Sequence, residues 1–126
     1  MIAYLDTNAL VWLAQGDLAM HSPRAGRLIK QADLLFSPMV LLELEYLFEV
    51  KRNKLPARDI QRKVEHELGV RVCHLPFATV ASAALDEKWT RDPFDRLIVA
   101  NAKANGFAWL ISADDEIARR YPRTVW

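Results

Sequence analysis

Four acidic residues spread along the chain have side chains that could share one cation site. Asp6 follows a short apolar run, Glu43 and Asp95 lie within apolar helical patterns, and Asp114 comes two residues after another apolar run. A carboxylate on an apolar face is costly to bury unless it is paired or bound to a metal ion. Carboxylate oxygens suit hard cations such as Mg²⁺ or Mn²⁺ better than they suit zinc. If these acids converge, the sequence predicts a magnesium or manganese site.

The position of Asp6 is set by the residues before it. Ile2 to Leu5 is an apolar run of strand-forming residues, typical of a strand buried on both faces of a parallel sheet. A helical pattern begins directly afterwards. Because open α/β sheets bind ligands beyond the carboxyl ends of their strands, we expect Asp6 at a ligand-binding edge.

The helix predicted from Ser37-Pro38 to about Lys51 carries three glutamates that point in different directions. At about 100° per residue, the side chains within about 60° of Glu43 are all apolar or aromatic. These neighbours are Met39, Val40, Tyr46, Leu47 and Val50. The pattern therefore predicts Glu43 in the middle of the buried stripe, bound either to a metal ion or to a buried donor. Glu45 and Glu49 are predicted to lie on a solvated face.

The block Asp92-Pro93-Phe94-Asp95 begins a helix that is predicted to end before Gly106. Asp92 suits the N-cap position, and Asp95 could close a capping box. The neighbours of Asp95 on its helical face are apolar, namely Ile98, Val99 and Ala102. The helix dipole also favours a negative charge in the first turn. Asp92 is therefore predicted to be mainly a cap, and Asp95 an inward-facing site acid.

The fourth acid follows the predicted strand Phe107 to Ser112, which is succeeded by Asp114 and Asp115. One of these two aspartates should cap the short helix predicted up to Arg120. Asp115 suits that role better, so Asp114 is the predicted site acid and Asp115 its alternative.

The remaining patterns predict the elements that hold these acids in place. Helices are expected at Asn8 to Gln15, Ser22 to about Ala32, Pro56 to Leu68 and Phe77 to Lys88, with a loop from Gly16 through His21. Strands are expected at Leu34 to Phe36, Val70 to Leu75 and Thr124 to Trp126. Strands that alternate with helices indicate an α/β fold of three layers around a mainly parallel sheet of four or five strands.

Composition narrows the class of protein. The 126 residues predict a single domain, 1–126, and an apolar content of 52% argues against disorder. No run approaches the roughly 20 apolar residues of a membrane span, and the acid at position 6 argues against a signal peptide. A single cysteine, Cys73, fits a reducing cytoplasm, and the three histidines lack zinc-site spacing. We therefore expect a cytoplasmic protein without a membrane partner.

A net charge of +1 means that any contact with nucleic acid has to come from local basic patches. Arg91 and Arg96 flank Asp95 and are candidates for binding substrate phosphates. The basic turn formed by Lys51, Arg52 and Lys54 is a further candidate, although ordinary solvated charge explains it better. Thr7 or Asn8 could orient Asp6 or a phosphate.

Taken together, the sequence resembles the PIN-domain nucleases, and specifically the toxins of bacterial VapBC-type toxin–antitoxin modules. Four blocks occur in family order: Tyr4 to Asn8, Ser37 with Glu43-Leu44, Arg91 to Ala100, and Leu110 to Asp114. The resemblance implies a PIN-like α/β/α sandwich with Asp6, Glu43 and Asp95 as core acids. Asp114 carries over as the fourth acid, a position that varies in the family, and Ser112 stands where many relatives have threonine.

The resemblance also implies an activity and partners. The expected activity is metal-assisted hydrolysis of RNA phosphodiester bonds with Mg²⁺ or Mn²⁺. Asp6 and Asp95 would be the principal ligands, while Glu43 and Asp114 would hold metal-bound water or a second ion. The expected partners are RNA, a second copy of the chain, and a cognate antitoxin whose C-terminal segment blocks the site, with a larger toxin–antitoxin assembly as an extension.

Other readings stay open at this stage. One is a PIN-fold RNA-processing nuclease outside any toxin–antitoxin module. Another is a magnesium-binding receiver domain, which fits poorly because the middle of the chain, Glu49 to Arg58, offers a helix end and a basic turn instead of a strand ending in aspartate. Leu41, Leu42 and Phe48 lie outside the Glu43 stripe and predict either a dimer or antitoxin groove or packing within the fold.

Overall fold

The computed structural model describes residues 1–16 and 21–126, so the predicted loop between Gly16 and His21 lies largely outside the described residues. These ranges contain five strands and seven helices. In chain order they are β1 (Ile2–Leu5), α1 (Thr7–Ala14), α2 (Pro23–Gln31), β2 (Asp33–Phe36), α3 (Pro38–Glu49), α4 (Ala57–Leu68), β3 (Arg71–Val72), α5 (Phe77–Ala84), α6 (Pro93–Ala104), β4 (Trp109–Ile111), α7 (Asp115–Arg120) and β5 (Thr124–Val125).

The five strands form one sheet in the order β3-β2-β1-β4-β5, and every neighbouring pair is parallel. β1 is the central strand, and its Ala3, Tyr4 and Leu5 are fully buried, as the apolar run predicted. Leu5 is in register with Phe36 and Ile111. The residues that follow these strands therefore emerge at one edge of the sheet, and Asp6 is among them.

Helices cover both faces of the sheet. The Tyr4 hydroxyl accepts a hydrogen bond of 2.8 Å from Nδ2 of Asn105, which follows α6, so α6 lies on the Tyr4 face. Leu5 faces the opposite side, where it lines a small cavity with Leu13 of α1 and Ile29 of α2. The predicted three-layer α/β/α sandwich is thus confirmed, and its sheet is wholly parallel. None of the helices described is long and apolar enough to cross a membrane.

The elements β3, α5 and β4 have only about two thirds of their predicted length or less. β3 contains two residues instead of six, although the Cys73 N–H still donates to the Phe36 carbonyl. α5 ends at Ala84 because the following residues form tighter i→i−3 bonds, such as Glu87 N–H to the Ala84 carbonyl. β4 begins at Trp109 because Gly106 and Phe107 both adopt left-handed backbone angles, with φ of 68° and 54°.

The prediction that Glu45 lies on a solvated face was wrong. Its Oε1 accepts a hydrogen bond of 3.0 Å from the Ala57 N–H, at the first residue of α4. The local N-cap of α4 is Pro56, which makes no side-chain capping bond. Glu45 therefore satisfies, from α3, a helix terminus that its own cap leaves open.

We expect Glu45→Ala to lower the free energy of unfolding by about 1 kcal/mol, because the substitution removes this capping acceptor. Glu49→Ala is the matched control, since Glu49 is exposed near the end of the same helix. Urea denaturation measures both variants. Equal losses of stability would show that the bond to Ala57 contributes nothing.

Candidate active site

Asp6 is held at the edge of the sheet by two backbone contacts. Its own N–H donates to the Ile111 carbonyl at 3.1 Å, which ties it to β4. Its Oδ1 accepts from the Ala9 N–H at 2.8 Å, so Asp6 is the N-cap of α1. The side chain is buried. The capping bond orients the carboxylate through Oδ1, and the Ser112 side chain also contacts the carboxylate.

Glu43 is positioned by Thr7, the first residue of α1. The Thr7 hydroxyl donates a short hydrogen bond to Oε1 of Glu43. Thr7 thus orients Glu43, a role that the sequence did not predict, and its contact with Asp6 or a phosphate stays a prediction. The two residues are 36 positions apart, and no local pattern indicates the pairing.

The prediction that Glu43 lies in the middle of the buried stripe of α3 was wrong. Val40 and Leu44 are fully buried and mark the centre of that stripe. Tyr46 and Val50, expected inside, are 50% and 45% exposed. Glu43 is half-buried at the edge of the stripe, because Val40 and Leu44 face the core from one adjacent row of the helix. This position gives its carboxylate access to both Thr7 and solvent.

At the start of α6, Asp92 caps the helix, whereas Asp95 is the predicted site acid. Asp92 Oδ1 accepts from the N–H groups of Phe94 and Asp95, at 2.8 and 3.4 Å, so its predicted capping role is confirmed. The predicted capping box does not form, because the Asp92 N–H donates to Thr90 Oγ1 instead of to Asp95. The half-buried Asp95 carboxylate accepts no hydrogen bond from any residue in the described ranges.

Asp114, and not Asp115, caps α7. Its Oδ1 accepts from the Ile117 N–H at 3.0 Å, and its own N–H donates to Ser112 Oγ at 3.1 Å. The prediction that Asp115 suits the cap better was wrong, because α7 begins at Asp115 and thereby leaves Asp114 in the N-cap position. Asp114 serves both as cap and as the acid whose charge reaches Asp6 and Asp95.

The acids perturb one another's ionisation. Burial raises the pKa of Asp6 to about 6; contacts with Ser112 and the Ala9 N–H oppose this rise, and the charges of Glu43 and Asp114 add to it. Burial, the larger cause, and the charges of Asp92, Asp114, Glu43 and Asp6 together raise the pKa of Asp95 to about 7. Burial also raises the pKa of Glu43. The charges of the other predicted acids therefore reach both Asp6 and Asp95.

The donor set fits a hard divalent cation. In residues 1–16 and 21–126, no group of three or more His, Cys, Asp or Glu side chains is arranged to hold a metal ion. Mg²⁺ needs only one or two carboxylates, because water and substrate phosphate complete its shell. The acids, with the hydroxyls of Thr7 and Ser112, present only oxygen, and burial together with neighbouring negative charge raises the pKa of Asp6 and of Asp95.

Asn8 and Arg91, two of the predicted substrate-binding residues, are exposed, whereas Arg96 is engaged within the fold. Asn8 is exposed on α1, and the exposed Arg91 donates to the Lys88 carbonyl at 3.1 Å. The guanidinium of Arg96 is engaged on α5, where Nε and Nη2 donate to the Ala84 carbonyl at 3.2 and 3.0 Å. Its Nη2 also donates to the Leu85 carbonyl at 3.3 Å. The structure thus gives Arg96 the role of closing α5, and its contact with RNA stays a prediction.

A match to a protein family agrees with this arrangement. The family model described as PIN domain matches residues 3–122, which is nearly the whole chain. The chain belongs to the PIN domain family. PIN domains are nucleases that generally use divalent metal ions. The receiver-domain alternative is thereby excluded, and the resemblance read from the four sequence blocks is confirmed.

Solved structures show the same PIN fold. VapBC2 from Rickettsia felis, bound to a DNA fragment from its promoter, is similar at 21% identity and a TM-score of 0.65, covering 99% of this chain and 96% of that one. VapBC-1 from nontypeable Haemophilus influenzae is similar at 19% identity and a TM-score of 0.65, covering 100% and 96%. A toxin–antitoxin complex from Klebsiella pneumoniae follows at 17% and 0.59, covering 98% and 96%. No curated protein matches the chain.

Stability without divalent cations should depend on pH in a defined direction. Between pH about 4 and about 7, Asp6 and Asp95 bind more protons in the folded chain than in the unfolded chain, so the free energy of unfolding falls as the pH rises through this window. Asp6→Asn removes the charge but keeps a capping side chain. We expect this variant to gain about 2–3 kcal/mol at pH 8, measured by urea denaturation in EDTA.

Glu67→Gln, on the exposed face of α4, is the control and should follow the pH dependence of the unmodified chain. An Asp6→Asn variant that is less stable than the unmodified chain at pH 8 would contradict the repulsion described for the site.

The two arginines beside Asp95 should respond differently to substitution. We expect Arg96→Gln to lower the free energy of unfolding by about 1–2 kcal/mol, because it removes charge-assisted bonds to the end of α5. Arg91→Gln should leave stability nearly unchanged, since Arg91 is exposed. Thermal and urea unfolding compare the pair. If Arg91→Gln proves the more destabilising of the two, the assignment of Arg96 to α5 is incorrect.

Proposed function

We propose that this PIN domain is a metal-dependent endoribonuclease that hydrolyses RNA phosphodiester bonds in the cytoplasm, as the toxin of a toxin–antitoxin module. The observation that carries the proposal is the group of four carboxylates at one edge of the sheet, each of which is positioned by a different element. Asp6, Glu43, Asp95 and Asp114 are its catalytic residues.

Asp6 and Asp95 would hold the divalent cation, Mg²⁺ or Mn²⁺, because burial and the charges of neighbouring acids make their ionised forms unfavourable without one. When bound, the cation polarises a phosphoryl oxygen and makes a water molecule more acidic. Glu43 keeps one oxygen on the Thr7 hydroxyl, and its other oxygen is available to accept a hydrogen bond from water in the site. Asp114 caps α7 with Oδ1, and its other oxygen is likewise available to accept a hydrogen bond from water.

Positive charge near the site has to offset the repulsion between four carboxylates and a polyanionic substrate. The exposed Arg91 stands just before the capping residue Asp92, and it binds a substrate phosphate in this proposal. Asn8 is exposed one residue after Thr7, and its side-chain amide can contact the sugar–phosphate backbone of the RNA. Arg96 contributes indirectly by fixing α5 against α6.

Partner binding is assigned to an apolar surface on α3. Leu42 and Tyr46 lie one turn apart on α3 and are 57% and 50% exposed, whereas Leu41 packs against the core and Phe48, 37% exposed, points to another side of the helix. Contiguous exposed apolar side chains mark interaction sites in proteins of this kind. We assign this surface to protein partners, namely a cognate antitoxin and a second copy of the chain. The similar structures named above include VapBC and toxin–antitoxin complexes, which supports the antitoxin.

The purified chain should cleave single-stranded RNA in Mg²⁺ or Mn²⁺, and EDTA should abolish the cleavage. We expect Asp6→Asn and Asp95→Asn to lower kcat/KM by about a thousandfold, since charge stabilisation by a metal ion is worth several kcal/mol. Gel analysis of a labelled oligoribonucleotide measures the rates, and Glu67→Gln serves as the control because Glu67 is exposed on α4.

The same variants test the role in the cell. Expression of the unmodified chain in a bacterial host should arrest growth, and expression of Asp6→Asn should not. Cleavage in EDTA, or full activity of Asp6→Asn, would refute the metal site. Metal-dependent cleavage without growth arrest would instead favour an RNA-processing nuclease outside a toxin–antitoxin module.

A further inference from the structure

A cavity of about 450 Å³ opens at the C-terminal end of α1, away from the acids. It lies between α1, the turn that joins α3 to α4, and α4 itself. Its apolar wall includes Val11, Leu55 and Ile60, and its cationic residues are Arg52, Lys54 and Lys63. Cavities of this size hold small molecules or single groups of larger ligands.

The charge of the cavity selects an anionic ligand. Arg52, Lys54 and Lys63 are exposed, and none of them takes part in an ion pair with a carboxylate of residues 1–16 or 21–126. Three cations beside an apolar wall fit a ligand that combines an apolar, planar body with a negative group. Arginine adds a planar surface on which a nucleobase can stack.

Asn53 supplies a second, independent feature of the cavity. Its Nδ2 is buried and has no hydrogen-bond acceptor within the described structure, and the residue lines the cavity. A buried donor without an acceptor costs about 1–3 kcal/mol and is uncommon in folded proteins. An acceptor on a bound ligand, such as a carbonyl oxygen or ring nitrogen of a base, would satisfy this donor.

The cavity lies one helix length from the acids. α1 begins beside Asp6 and ends at Ala14, which lines the cavity. Its eight residues span about 12 Å. A few nucleotides of single-stranded RNA cover that distance, so one RNA molecule can occupy both places.

We propose that this cavity is a nucleotide subsite for the RNA substrate, which binds a nucleotide a short distance along the strand from the cleaved bond. The base lies against the apolar wall and accepts a hydrogen bond from Asn53 Nδ2, while its phosphate binds Arg52 and Lys63. The proposal rests on the proposed ribonuclease function and extends it, because a base-binding subsite gives the enzyme a sequence preference.

The first experiment uses the Asp6→Asn variant without divalent cations, so that binding is separated from cleavage. NMR spectra are recorded while adenosine or uridine 5′-monophosphate is added, and inorganic phosphate is added in a parallel titration. We expect the side-chain amide resonances of Asn53 to shift and saturate with a nucleotide. Phosphate alone should bind at least about tenfold more weakly, because it makes no contact with the apolar wall.

The second experiment measures binding of a ten-nucleotide RNA to the same variant with Arg52→Gln and Lys63→Gln added. We expect the Kd to rise about tenfold and the slope of log K against log salt to fall by about 1.4, since each phosphate contact on a single strand contributes about 0.7. The matched control adds Arg27→Gln and Lys30→Gln on the exposed face of α2, outside the cavity, and should change the Kd less than about twofold.

Two results would overturn the nucleotide subsite. Equal binding of phosphate and nucleotide would leave an anion site that does not recognise a base, and equal weakening by both pairs of substitutions would indicate only general charge attraction. A different result would refute the ribonuclease proposal alone: the nucleotide binds saturably at Asn53, but the chain cleaves no RNA. Cleavage without any nucleotide-induced shift at Asn53 would refute the subsite alone.

Discussion

Mutual repulsion between carboxylates at one edge of a parallel sheet is the constraint on which this structure depends. Because all five strands run the same way, the residues that follow β1 and β4 emerge together, and α3 and α6 bring two more acids to the same place. Burial and neighbouring charge raise the pKa of Asp6 and of Asp95 toward neutrality. The ionised forms of these two acids are therefore unfavourable where the fold holds them, and a bound cation would relieve that cost.

The same acids also help to build the helices that carry them. Asp6 and Asp114 are the N-caps of α1 and α7, and each uses one oxygen for a backbone N–H. At α6 the two duties are divided, because Asp92 caps the helix and the Asp95 carboxylate accepts no hydrogen bond within residues 1–16 and 21–126. Capping bonds and favourable helix dipoles offset part of the repulsion. Site geometry and helix initiation are therefore two consequences of the same side chains.

α3 connects three parts of the molecule. Glu43 receives the Thr7 hydroxyl and faces the acids, Glu45 caps α4, and Leu42 with Tyr46 forms an exposed apolar surface. α1 likewise connects two sites, because it begins beside Asp6 and ends at the basic cavity lined by Asn53. The helices α1 and α3 thus connect the proposed catalytic residues, the partner surface and the nucleotide subsite. A partner that displaces α3 would therefore also move Glu43.

The amino-acid sequence alone predicted the order of the elements, the burial of β1 and the caps at Ser22, Ser37 and Asp92, because these features depend on backbone periodicity and on contacts within a few residues. Packing set the direction of Glu43, the partner of Glu45, the attachment of Arg96 to α5 and the choice of Asp114 over Asp115. A carboxylate or guanidinium takes whichever donor or acceptor packing brings within reach. For Glu43, Glu45 and Arg96 that partner is a dozen or more positions away, and for Asp114 the choice depended on where α7 begins.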